Sequence, residues 1–172
     1  MRGILLTLLF TLAGAGFTPD YAQNKAPVEM IEEDRAFWND LLAEGSIKNK
    51  NLFYAGYVAY REKLTDLSME SFRECAAIND SNEIAKGVSF YYIGKNYFRK
   101  GDYPAAIENF LSVLQYDLAK FNDLKFAAEI NIAVSFHRSG NIEKFREHLQ
   151  KVIAESPNSR YGKAALVLLN AQ

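Results

Sequence analysis

His137 and His148 are the chain's two imidazoles, and Cys75 is its single thiol. Histidines that share a metal on one helix face sit three or four residues apart. These are eleven apart and face different directions. A single cysteine excludes an internal disulfide and any zinc or redox site built from several thiols. No nucleophile elbow, phosphate-binding loop or calcium loop occurs, and "GAGF" near the N-terminus has no strand before it. The triplet "NDS" at Asn79 is a glycosylation acceptor only in a eukaryotic secretory pathway. These residue types predict no catalysis, no metal and no cofactor. Basic and acidic residues number 20 and 21, so whole-chain charge indicates neither nucleic acid nor an anionic membrane as partner. What remains for chemistry is a set of cations lying among aromatic rings.

The N-terminus "MRGILLTLLFTLAGAGF" has one positive charge at Arg2, an apolar stretch from Ile4 to Leu12 and then small residues. That layout predicts a secretory signal over residues 1–22, cleaved after Ala15 or Ala22, and a secreted or periplasmic location. The stretch is shorter than the ~20 residues that span a bilayer, so no stable membrane insertion is expected after its removal. An uncleaved anchor is the alternative. No cysteine follows the run, which argues against a lipoprotein anchor.

The remainder reads as helix throughout. Residues 23–45 form a leading segment whose stripe of Met30, Ile31, Phe37, Trp38, Leu41 and Leu42 predicts an amphipathic helix ending at Gly45. Residues 158–172 form a closing helix after Pro157, capped by Asn158 or Ser159. Between them, residues 46–157 repeat. The template is Gly94, Tyr97, Gly101-Asp102-Tyr103, Ala106-Ile107, Phe110 and Val113. It recurs as Ala133, Phe136, Gly140-Asn141-Ile142, Phe145, Leu149 and Val152. A fainter copy runs Gly56, Ala59, Leu64-Thr65, Ser68, Phe72 and Cys75. Gly56 and Gly94 are 38 residues apart, and Gly94 and Ala133 are 39 apart. Fixed periods of this size mark stacked helical units. Gly94 is expected where two helices of a pair approach most closely, with Ala106 facing it. Gly101 is expected to end one helix left-handed, and Asp102 to cap the next.

The stretch "YYIGKNYFRKGDYPAAIENFLSVL" resembles a tetratricopeptide repeat, in its Gly-x-x-Tyr spacing, its Gly-Asp-Tyr turn and the Ala and Phe that follow. The resemblance covers three repeats at about 49–82, 87–120 and 126–159, and it implies an all-α solenoid of antiparallel helix pairs with a leading and a closing helix. A unit of that family has about 34 residues. The excess here falls at "INDSNE" and "YDLAKFNDLKF", so either the second helix of each pair is one turn longer or the loops are. Cys75 occupies a position the repeat reserves for a small buried residue and reads as core.

The resemblance also implies which residues line the concave groove. They are Lys50, Phe53, Tyr57, Tyr60 and Arg61 in the first block; Val88, Tyr91, Lys95, Phe98 and Arg99 in the second; and Ala127, Ile130, Val134, His137 and Arg138 in the third. An arginine ends each set. Arginines beside aromatic rings suit an extended acidic or aromatic peptide, through charge-assisted bonds and stacking. The alternative is that these arginines cap helix C-termini and that Phe53 and Phe98 are inter-repeat core. A carboxylate-gripping subtype is disfavoured, because Phe53, Tyr57, Tyr92 and Ala127 replace its Lys and Asn, leaving only Lys95 and Asn131. The expected function is a non-catalytic protein-binding scaffold. Two alternatives are a structural subunit of an envelope complex using convex or terminal surfaces, and the regulatory part of an enzyme system.

Overall fold

A computed structural model of the chain describes Ala43 and residues 46–79, 82–119 and 121–171. The expected signal, its cleavage points and the leading helix lie outside the described residues. Seven α-helices and no strand occur among the described residues: α1 Ile47–Arg61, α2 Thr65–Ala77, α3 Glu83–Lys100, α4 Tyr103–Val113, α5 Asn122–Arg138, α6 Ile142–Glu155 and α7 Arg160–Asn170. The fold is all-α.

Turns of two or three residues join α1 to α2, α3 to α4 and α5 to α6, and links this short force each pair antiparallel. All three turns are built alike. A residue with positive φ (Lys63 at +61°, Gly101 at +80°, Gly140 at +85°) ends the first helix. The next amide then reaches back five residues: Leu64 to the Ala59 carbonyl at 2.8 Å, Asp102 to Tyr97 at 3.0 Å and Asn141 to Phe136 at 2.8 Å. This satisfies carbonyls that the helix end would otherwise orphan. Asp102 and Asn141 then cap the following helix, accepting from the amides of Ala105 at 3.1 Å and Lys144 at 3.0 Å. Ser159 does the same for α7, accepting from the Gly162 amide at 3.0 Å.

Consecutive helices pack on one another, and α1 touches α3, α3 touches α5 and α5 touches α7. No comparable contact joins α2 to α4 or α4 to α6 among the described residues. The odd-numbered helices therefore form the closer-packed, concave layer of a solenoid-like stack.

The pairs are held in register by notches. A Cβ built on Gly94 would lie 2.7 Å from the Phe110 ring, and one on Gly56 would lie 3.1 Å from the Phe72 ring. In the third pair Ala133 and Leu149 occupy the same positions, both fully buried. The residue nearest Gly94 is thus Phe110, sixteen positions on, rather than the expected Ala106. A phenyl ring is bulky enough to need the notch, and Ala106 is fully buried in the same helix. At the closing end α7 sits so close that a Cβ on Gly162 would fall 2.0 Å from the Ser156 carbonyl oxygen. A buried polar link ties the first two pairs. Ser68 donates to the Gly56 carbonyl at 3.0 Å, and Asn96 donates to the Ser68 hydroxyl at 2.9 Å.

The extra length of each repeat does not lengthen the second helices. With 18 residues against 11 in α4, α3 is the longer partner, because Asn82 caps it early, accepting from the Ala85 amide at 2.8 Å. The remaining excess falls between α4 and α5, where the Asp117 amide donates to Glu83 at 2.9 Å and Phe90 stacks on Tyr116.

Lys63 holds in the first turn a conformation that the other two turns give to glycine, and a side chain pays for it in steric repulsion. Lys63→Gly is expected to raise stability by roughly 0.5–1 kcal/mol, the relief of strain being partly offset by glycine's backbone entropy. Urea unfolding checks this, and an unchanged or lower midpoint would refute the strain at this turn.

Candidate functional site

The residues expected to line the groove separate into three groups. The first is core. Phe53 is fully buried, edge-on to Phe72 at 5.6 Å and to Tyr92 at 6.3 Å. Phe98 is buried edge-on against Tyr103, the first residue of the next helix, at 5.3 Å. Val88, Ala127 and Ile130 are fully buried and Val134 nearly so. Phe53 thus packs across the first two pairs, whereas the ring contact of Phe98 lies within its own pair; both are core.

The second group gathers at the seam between α1 and α3. Tyr60, Tyr91 and Tyr92 are buried, and the fully buried ammonium of Lys95 lies 4.7, 5.6 and 5.3 Å from their ring centroids. The Arg99 guanidinium stacks on the outer side of this cluster, 4.1 Å from the Tyr60 ring. Its Nη1 also donates to the Tyr60 carbonyl at 3.0 Å. Arg99, in the last turn of α3, thus also neutralises the C-terminal end of α1, the helix of the preceding repeat. Capping and ligand contact are compatible, since Arg99 is itself exposed and a guanidinium has five donors. Arg61 is exposed and donates to the Tyr57 hydroxyl at 3.4 Å. Partly exposed Lys50 reaches the Ala43 carbonyl at 3.5 Å. Tyr91 accepts at its hydroxyl from Asn131 at 2.9 Å, which ties α3 to α5.

The third group sits at the α5–α6 turn. The His137 ring lies 4.9 Å from Phe145. Burial, and then the charge of Arg138, push the imidazole below its ordinary range, so it is neutral at neutral pH. Its ring packs toward α6 as a neutral group rather than a cation. Arg138 is half-buried, and its Nε has no hydrogen-bond partner.

Sequence patterning missed Tyr92, which touches Phe53, Tyr57, Tyr60, Phe72 and Tyr91 and is the hub of the aromatic cluster. Its one available signal was the doublet Tyr91-Tyr92, two rings side by side on a helix with neighbours on both sides. A second missed feature is Glu129, buried in α5 and bonded to His148 Nδ1 at 2.7 Å and to Lys151. Burial pushes this carboxyl up, but the hydrogen bonds from His148 and Lys151 and the charge of Lys151 outweigh it and hold the group below its ordinary range. Cys75 is fully buried with its thiol 3.0 Å from Asn49 Oδ1, as a core residue. No cluster of three or more His, Cys, Asp or Glu able to hold a metal occurs among the described residues. None of the described helices is long and apolar enough to cross a membrane.

Because the folded carboxyl of Glu129 titrates below its reference value of 4.5, its contribution is complete above that pH and is lost as pH falls through the lower folded value. Glu129→Gln is expected to cost about 1.5–3 kcal/mol at neutral pH, the range for hydrogen bonds to charged groups. The variant's urea midpoint should then fall less steeply than wild type on acidification below 4.5. Parallel pH slopes for the two proteins would contradict the assignment.

Comparison of the chain with protein-family models, with curated proteins and with solved structures found no match.

Proposed function

We propose that the chain is a non-catalytic scaffold of tetratricopeptide-like repeats, acting outside the cytoplasm after loss of its signal, and that its concave layer binds an extended acidic or aromatic peptide. The observation that carries this reading is the Arg99 guanidinium over the Tyr60 ring, 4.1 Å from its centroid, with the exposed Arg61 and partly exposed Tyr57 on the same helix as Tyr60. Stacking fixes the plane of a guanidinium while its edge donors stay available, and a planar edge is what a carboxylate accepts in bidentate fashion. The neighbouring tyrosines offer faces and hydroxyls to aromatic side chains of the same ligand. Cations at the ends of successive first helices, Arg61, Arg99 and Arg138, suit an extended segment over a compact one.

A second reading, a structural subunit that docks through its outer surfaces, draws on the exposure of Leu166 on the closing helix and of Val58, Leu64 and Leu67 around the first pair. Large apolar side chains grouped on a surface mark interaction sites.

The two readings separate on charge. Under the groove reading, Arg61→Glu, Arg99→Glu and Arg138→Glu together weaken binding of a labelled peptide alternating Asp and Phe roughly 30-fold, at about 0.7 kcal/mol for each of the three pairs. They also flatten its salt dependence. Fluorescence anisotropy on wild type and triple variant reads both effects. Equal affinities and equal salt slopes would place the binding surface elsewhere.

A further inference from the structure

The arginines that end the first helices of the three pairs are equivalent in sequence and unequal in the fold. Tyr60, Phe98 and His137 stand four places after Gly56, Gly94 and Ala133, and Arg61, Arg99 and Arg138 follow them. Arg99 reaches back to α1, lying 4.1 Å from the centre of the Tyr60 ring and donating to the Tyr60 carbonyl at 3.0 Å. Arg61 donates to the Tyr57 hydroxyl at 3.4 Å. If α5 repeated what α3 does, Arg138 would lie over the Phe98 ring and donate to the Phe98 carbonyl. It does neither. The Phe98 ring is instead set against Tyr103 of its own pair, 5.3 Å between centroids. Among the described residues no ring, carbonyl or carboxylate partners the Arg138 guanidinium, whose Nε is itself without an acceptor. The neighbouring His137 is kept neutral by burial and by the Arg138 charge, so it supplies no counter-charge.

We infer that Arg138 is the groove's principal selector for an acidic residue of the ligand, ahead of Arg99, and that it acts by pairing with one ligand carboxylate at the C-terminal end of α5. The inference deepens the peptide-binding reading and rests on it. The physical reason is the difference in what each arginine already has. Arg99 has one donor engaged by a backbone carbonyl and one face against a ring, so a ligand adds to interactions that exist without it. Arg138 has donors with nothing to donate to, and an oxygen acceptor supplied from outside removes the cost of leaving them unmade. A carboxylate is the matching group, since its two oxygens accept from two N–H groups on one guanidinium edge, and its single charge balances a single cation.

The test crosses peptide charge with protein charge. The labelled peptide alternating Asp and Phe is compared by fluorescence anisotropy with one in which every Asp is Asn, on wild type, Arg138→Gln and Arg99→Gln. Wild type is expected to prefer the Asp peptide, and Arg138→Gln to cut that preference at least ~3-fold while leaving the urea midpoint where it was. Arg99→Gln cuts the preference by a smaller factor and lowers the urea midpoint, because it removes a bond that holds α1 to α3. A preference that survives Arg138→Gln, or that Arg99→Gln reduces as much, overturns the inference and leaves peptide binding standing. So does equal affinity of wild type for the two peptides. A urea midpoint that falls in Arg138→Gln also overturns it, since Arg138 would then hold the fold rather than await a ligand. Wild type that binds neither peptide removes the peptide-binding reading and this inference with it.

Discussion

A phenyl ring pressed onto a helix backbone at a position without a side chain is the contact on which the architecture depends. Phe72 over Gly56 and Phe110 over Gly94 set the depth at which the second helix of each pair can approach the first. Helix propensity alone disfavours a mid-helix glycine by about 1 kcal/mol. Full burial of a phenylalanine side chain returns about 1.5–3 kcal/mol, so the trade is favourable only if the ring seats in the notch. In the third pair a smaller knob, Leu149, meets Ala133, and the same spacing of sixteen residues keeps the pair in the shared register. Once depth and register repeat, the turns repeat with them, and successive pairs present equivalent faces to one another.

The polar features follow from that repetition. Arg99 reaches the Tyr60 carbonyl because the end of α1 always lies beside the end of α3. Asn96 reaches Ser68 because the seam between pairs is dry and narrow there, and a buried hydroxyl needs a partner. Lys95 sits among three tyrosine rings at the same seam, where ring faces offset part of the cost of removing an ammonium from bulk water. The site proposed for ligand contact is therefore the exposed edge of an inter-repeat joint. That explains why its cations have structural duties as well.

The features most legible in the sequence are those written in local chemistry. Gly101-Asp102 and Gly140-Asn141 announce a left-handed stop followed by a cap, and both occur as read. The first turn was faint because Lys63 carries out the same geometry without a glycine. The early start of α3 was hidden because "INDSNE" offers several residues able to cap, and only the fold selects Asn82. Groove residues were the least legible. A repeat register tells which side of a helix a residue occupies, but not what lies over that side. Phe53 and Phe98 face the layer and are nonetheless consumed by its packing. Tyr92 stands one position off the expected line and becomes the hub because two neighbouring helices converge on it.

The most direct test of the central contact is a double-mutant cycle on Gly94→Ala and Phe110→Leu, followed by urea unfolding. In the wild-type background the alanine is predicted to destabilise by roughly 1–3 kcal/mol, since its Cβ has no room beside the ring. With leucine at 110 the same alanine should cost far less, or add up to about 1 kcal/mol through its better helix propensity, giving a coupling well outside additivity. Equal costs for Gly94→Ala in the two backgrounds would show that the ring and the notch do not hold each other, and the account of the stack would fail.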